Sequence, residues 1–253
     1  MSGSDSADEE GQEEAVSTGN GDLRQRIDAV QERIAKAAAR AGRRVDEVQL
    51  VAVSKSHPAG QIAAAYDAGL RVFGENRVQE AQEKIPLVGR PAVWHLVGHL
   101  QSNKAAAAAR LFHLIHSVDD APLARRLDRA AAGLGRPLEI LVQVNVAGED
   151  VKSGIEPDRL RPLLEEIARD CGTLRVRGLM TIPPLHPDPE KSRPHFARLR
   201  ELAAFARSWG LPGAGLDELS MGMTDDFPVA IEEGATLVRI GRALFGERIS
   251  PAP

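Results

Sequence analysis

The sequence predicts a single (β/α)8 barrel, an α/β fold, and three observations carry that prediction. Apolar runs rich in β-branched residues recur over 48–54, 71–74, 93–97, 111–118, 138–146, 174–182, 216–221 and 236–240. Segments compatible with helix fall between them, near 58–69, 76–85, 101–110, 121–133, 157–170, 190–208 and 225–233. The chain has 253 residues, and about 250 is typical of eight such units. Several runs, Leu138-Glu139-Ile140-Leu141-Val142-Gln143-Val144 among them, lack polar/apolar alternation. Parallel strands covered on both faces read that way. An open doubly wound sheet is the competing arrangement, but it usually has fewer strands, and no Gly-x-Gly-x-x-Gly follows the first run.

Residues 1–20 stand apart. They hold six acids (Asp5, Asp8, Glu9, Glu10, Glu13 and Glu14) and no Lys or Arg, with Gly and Ser filling much of the rest. Such a segment reads as a disordered acidic tail, which leaves 21–250 for the barrel. Without the tail the acids fall from 36 to 30 against 32 bases, and the net charge moves from −4 to +2. The nearly neutral remainder gives no reason to expect nucleic acid or an anionic membrane as a partner. No apolar stretch approaches the ~18 residues of a membrane span, and the acidic N-terminus is no secretory signal. The single cysteine, Cys171, excludes an internal disulfide and a cysteine-rich metal cage, and suits the reducing cytoplasm.

The first folded element is a helix, with Leu23, Ile27, Val30 and Ile34 at helical spacing and Gly42 closing it. The first strand then delivers Lys55. Six lysines occur in the chain, and only this one ends an apolar run, Val48-Gln49-Leu50-Val51-Ala52-Val53-Ser54-Lys55. A turn segment, Ser56-His57-Pro58, follows. A partly buried amine at a strand end is suited to condensation with a carbonyl, since desolvation favours its neutral, nucleophilic form. The plainer reading is a surface lysine just past a strand end.

Barrel active sites form at the C-terminal ends of the strands. The residues closing the later strands are Glu75-Asn76-Arg77, Gly98-His99, Asp119, Asn145, Met180-Thr181, Ser220-Met221-Gly222-Met223-Thr224 and Arg239-Ile240-Gly241-Arg242. The last two turns suit a phosphate. Barrels often hold one between the loops after strands 7 and 8, small residues let backbone N–H groups approach it, and helix starts supply unpaired donors. The hydroxyls of Ser220 and Thr224 would add donors. Alternatively, Thr224 only caps its helix and Gly241 only turns the chain. A ligand with an aldehyde at one end and a phosphate at the other satisfies the amine, the arginine and both turns, and pyridoxal 5′-phosphate is such a ligand.

The chain resembles the pyridoxal phosphate homeostasis protein family (YggS/PROSC-type proteins). The resemblance rests on Val51-Ala52-Val53-Ser54-Lys55, Phe73-Gly74-Glu75-Asn76-Arg77, Trp94 to Lys104, Ser117-Val118-Asp119, Gly178 to Pro184, Leu219 to Asp226 and Val238-Arg239-Ile240-Gly241. These stretches span about 22–248, and Gly98-His99-Leu100-Gln101-Ser102-Asn103-Lys104 with Ser220-Met221-Gly222-Met223 is specific in combination. The family usually has Ser where this chain has Thr224, which keeps the hydroxyl.

The resemblance implies an alanine-racemase-like barrel, of the fold type III class of pyridoxal-phosphate-binding proteins, without that enzyme's C-terminal β domain. It implies that Lys55 holds the cofactor as a Schiff base. Ser220, Gly222, Thr224 and Gly241 then lie in the segments holding the phosphate, Arg239 lies at the phosphate or pyridine-nitrogen end, and Asn76 and Met180 line the ring. The implied role is vitamin B6 homeostasis: binding, buffering and delivering pyridoxal phosphate without firm substrate turnover. Apo-enzymes that use the cofactor are the implied recipients, and the chain is expected to act as a monomer.

The residues themselves bear on carrier against enzyme. Racemisation needs acid/base groups on both faces of the substrate, and in the related racemases a tyrosine of a second domain serves one face. This chain has one tyrosine, Tyr66, inside a helix, and it stops at Pro253 soon after the eighth unit. A slow amino-acid racemase is the alternative. If Arg239, which only donates hydrogen bonds, faces the pyridine nitrogen, the ring is a weaker electron sink. If it meets the phosphate, that inference lapses.

No metal site is expected. His95 and His99 share a strand face, but His113 and His116 point to opposite faces, and no Asp/Cys cluster joins them. Lys104 and Lys152 are rival cofactor lysines. Lys104 reads better as facing solvent near the barrel mouth. Lys152, in the loop after strand 5, reads either as a ligand contact or as simply exposed, and Cys171 reads as inert.

Overall fold

The computed structural model describes residues 6–148 and 153–246, with side chains from residue 21 onward. Eight parallel strands close into a barrel in chain order: β1 (Gln49–Val53), β2 (Val72–Glu75), β3 (Val93–Leu96), β4 (Leu114–Val118), β5 (Leu138–Gln143), β6 (Leu174–Met180), β7 (Ala214–Ser220) and β8 (Leu237–Ile240). The seam pairs β8 with β1, placing Val51 beside Arg239 and Ala52 beside Ile240.

Side chains alternate across each strand. Val51, Val53, Val72, Val97, Leu114, Leu141, Met180 and Leu237 fill the barrel interior, while the opposite faces join the larger apolar layer under the helices. Continuing the alternation puts Lys55 and Arg239 on the inward face. The outer layer is α2 (Ala59–Asp67), α3 (Val78–Val88), α4 (Ala105–Leu111), α5 (Ala121–Ala131), α6 (Leu160–Asp170), α7 (Arg193–Arg207) and α8 (Phe227–Glu232). The eighth position is taken by α1 (Ser6–Arg40), which precedes β1 and packs against α8, α2 and the short α9 (Arg242–Phe245).

The observed boundaries depart from the sequence reading where turns intervene. Short 3-10 turns lead into α4, α6 and α7. Helix α8 starts at Phe227 rather than 225, after a turn in which the Met223 N–H donates to Asp226 Oδ1 at 2.7 Å. Helix α9, absent from the sequence reading, forms because the Leu244 and Phe245 N–H groups both reach the Gly241 carbonyl. Helix α1 begins inside the segment read as a disordered tail, of which residues 1–5 lie outside the described part. Its buried stripe (Leu23, Ile27, Val30, Ile34, Ala37 and Ala38) matches the helical spacing read from the sequence.

Candidate functional site

A cavity of about 800 Å³ opens at the C-terminal ends of the strands, lined by Lys55, Asn76, Thr224, Arg239 and Gly241 from the predicted set. His57, Met223, Asp225 and Arg242 line it as well. The side chain of Lys55 is half-buried in this wall, so it is not a plain surface lysine. The seam fixes its neighbours: a Cβ on Gly241 would lie 3.1 Å from the Val53 carbonyl oxygen. The end of β8 is thereby pressed against the end of β1. Asn76 is held from behind by Gly98, where a Cβ would fall 2.3 Å from the Asn76 carbonyl oxygen.

Arg239 is the electrostatic centre of the floor. It is only 5% exposed, donating to the Ser220 hydroxyl at 2.5 Å and to the Thr181 carbonyl at 2.9 Å. Burial lowers its pKa to about 10, with Asp226 opposing this, so it stays charged at neutral pH. Both of these hydrogen-bond partners are neutral. A buried cation without a paired anion is costly, and a ligand bearing an anion or a lone-pair acceptor would relieve that cost.

Ser220 is buried beneath the cavity and works differently from the sequence expectation. Its Oγ also lies 2.8 Å from His116 Nδ1, and His116 Nε2 lies 3.1 Å from His95 Nδ1. Arginine can only donate, so the hydroxyl proton is free to go to His116 Nδ1. That assigns the proton on His116 to Nε2, which donates to His95. Ser220 is thus engaged in supporting Arg239 rather than exposing its hydroxyl to an anion. Burial keeps both imidazoles neutral, lowering His95 to about 3 and His116 well below its usual value. The two imidazoles come from neighbouring strands: β3 supplies His95 and β4 supplies His116.

The remaining predicted residues separate. Met180 is fully buried in the interior cluster with Val53 and Val97, supporting the floor rather than lining the cavity. Gly222 has φ +91°, and a Cβ there would sit 2.6 Å from the Ala230 Cβ. Its smallness therefore serves packing against α8. Thr224 does not cap α8, because Asp226 occupies that position. Lys104 ends a 3-10 turn, half-buried and away from the cavity wall, and Lys152 lies outside the described residues. Cys171 is buried, and burial with nearby Asp128 and Asp170 pushes its thiol up to about 11.

Sequence reasoning missed His57, which packs on Phe245 with ring centroids 5.1 Å apart. Its buried Nδ1 has no hydrogen-bond partner, and burial lowers its pKa. The only sequence signal was its place two residues after Lys55. It also missed Lys84, a buried lysine on α3; Glu80 four residues before it on the same helix was the available signal, whereas Glu75 comes from β2.

Comparison with known proteins shows the family. The family described as Alanine racemase, N-terminal domain matches residues 26–249. A Pyridoxal phosphate homeostasis protein of Pseudomonas aeruginosa is 48% identical over 91% of this chain and 98% of its own length. One of Aquifex aeolicus is 44% identical over 88% and 97%. Among solved structures, PipY of Synechococcus elongatus with PLP bound has a TM-score of 0.77 at 41% identity, covering 88% of this chain and all of that one. The alanine racemase of Corynebacterium glutamicum, 18% identical with a TM-score of 0.61 over 89% of this chain and 63% of its own, shares the fold. With near-complete coverage by these relatives and the family match over 26–249, the chain belongs to the pyridoxal phosphate homeostasis protein family.

Proposed function

We propose that this protein binds pyridoxal 5′-phosphate through Lys55 and takes part in its homeostasis and delivery in the cytoplasm, without turning over a substrate. One observation carries the reading: a half-buried amine, Lys55, and a buried guanidinium, Arg239, face the same cavity. The donor set fits the cofactor, since a buried cation with neutral partners suits an acceptor-bearing ring or phosphate, and the cavity suits a small ligand.

When bound, pyridoxal phosphate supplies an electrophilic aldehyde carbon with which an amine can condense. The chain's residues do the rest. Lys55 presents the amine at the end of β1. Arg239, held by Ser220 and Thr181, presents N–H donors from the floor. Gly241, beside the end of β1, and Thr224 line the same cavity, where backbone N–H groups would donate to a phosphate, and Asn76 lines it as well. The position of Arg239 supports the ring end: it lies two residues below Gly241 on the inward face of β8, and so deeper in the barrel.

Absence of turnover is supported by the placement of acid/base groups. The lone tyrosine, Tyr66, lies in α2, with the Arg71 guanidinium 4.2 Å from its ring centroid, and it does not line the cavity. His95 and His116 are kept neutral by burial beneath Ser220. The shared fold with alanine racemase keeps a slow racemase as the second reading.

The test is the visible absorption of the protein with pyridoxal phosphate, then borohydride reduction and peptide mapping. The expected result is one reduced adduct on Lys55, lost in Lys55→Ala with the fold retained, because the residue ends a strand rather than filling the core. An adduct on another lysine would sink the assignment. Lys55-dependent exchange of the α-hydrogen of an amino acid into deuterated water would favour the racemase.

A further inference from the structure

The outward side of β1 carries a charged cluster that the cavity does not use. Lys84, on α3, donates to three acceptors: the Ser54 carbonyl at 2.9 Å, Glu75 Oε1 at 2.9 Å and Glu80 Oε1 at 2.6 Å. Glu75 Oε1 also accepts from the Ser54 hydroxyl at 2.7 Å. Glu80 Oε1 also accepts from the Ser56 N–H at 2.6 Å. The residues on both sides of Lys55 are therefore tied to one cluster, through the Ser54 carbonyl and hydroxyl and the Ser56 N–H. None of the three charged side chains lines the cavity.

The local backbone shows why a tie is needed. Ser56 has φ +64°, a left-handed conformation in a residue other than glycine, and such conformations persist only where the surroundings enforce them. The Glu80 carboxylate fixes the N–H of this very residue. A lysine side chain has a long flexible stem, so where its amine can reach depends on how firmly its Cα is held.

We propose that Lys84 and Glu80, with Glu75, form a positioning clamp that fixes the backbone on both sides of Lys55 and so sets where its amine enters the cavity. The clamp rests on the reading of Lys55 as the attachment lysine. Its members act through the backbone and touch no ligand.

Lys84→Met would leave the buried Glu75 carboxylate without its cation and could fail to fold, so the decisive variant is Glu80→Ala in the full chain loaded with pyridoxal phosphate. The thermal midpoint should stay close to that of the parent, and borohydride should still trap the adduct on Lys55. Release of the cofactor to a trapping carbonyl reagent should become about tenfold faster, as expected from losing a charge-assisted hydrogen bond. The visible circular dichroism of the bound cofactor should weaken. Glu80→Gln, which keeps an acceptor for the Ser56 N–H, should restore most of both signals, which loss of charge alone would not allow. Release rate and dichroism equal to the parent's in Glu80→Ala would overturn the clamp alone. No adduct on Lys55 in the parent would overturn the reading beneath it and the clamp together.

Discussion

Gly222 and Ser220 show how one short loop divides its labour between packing and polarity. Gly222 combines φ +91° with a neighbourhood in which an added Cβ would lie 2.6 Å from the Ala230 Cβ and 2.9 Å from the Phe227 Cα. Gly222→Ala should therefore destabilise the protein by at least about 2 kcal/mol, combining backbone strain with overpacking. Urea unfolding measures this, and an unchanged midpoint would mean that the β7–α8 turn relaxes freely. The sequence marked both residues as belonging to the site, because small and hydroxyl residues after a seventh strand are unusual enough to notice. It could not show that Ser220 faces Arg239 and His116 rather than a ligand, since those partners lie 19 and 104 residues away.

At the scale of elements, α1 replaces the missing outer helix between α8 and α2. Its apolar stripe was legible because the 3.6-residue period is a local property. Where the helix begins was not, because residues 6–20 carry no such stripe in the sequence. We expect removal of residues 1–20 to change unfolding stability by no more than about 0.5 kcal/mol, the range of exposed changes, and to leave cofactor affinity unaltered. Chemical denaturation and a binding titration check this, and a large loss would show that the segment packs on the barrel. The strand order was legible from the alternation of runs. Strand ends were not: the run at 138–146 yields β5 only to Gln143, after which Val144 bridges to Ile155 and Asn145 turns to Glu156.

The whole molecule holds His57, His95 and His116 neutral, each mainly by burial. Their folded pKa values lie below the unfolded value near 6.5, so the unfolded chain binds more protons as pH falls. Their contribution is complete above about pH 6.5 and declines below it, toward about pH 3 for His95. His95 should cost about 1 kcal/mol of stability between pH 7 and pH 5.5, and His57 and His116 add to the loss in the same direction. Glu75 and Asp119, raised by burial, act with the opposite sign at lower pH. Urea midpoints across that interval should fall in the parent and fall less in His116→Gln. Identical slopes would mean that His116 already carries a proton in the fold.

By itself the sequence determined the (β/α)8 architecture, the helical stripes and the singling out of Lys55, Asn76, Arg239 and Gly241. Each of these follows from patterns within one element, or from the rule that barrel sites gather at strand C-termini. Only the tertiary structure decided which polar groups meet: Ser220 with Arg239 and His116, His95 with His116, and Lys84 and Glu80 with the residues flanking Lys55. Those contacts depend on closing the sheet at the β8–β1 seam and on the rotation of each helix over it. Both are settled by the packing of all eight units together, which no single segment records.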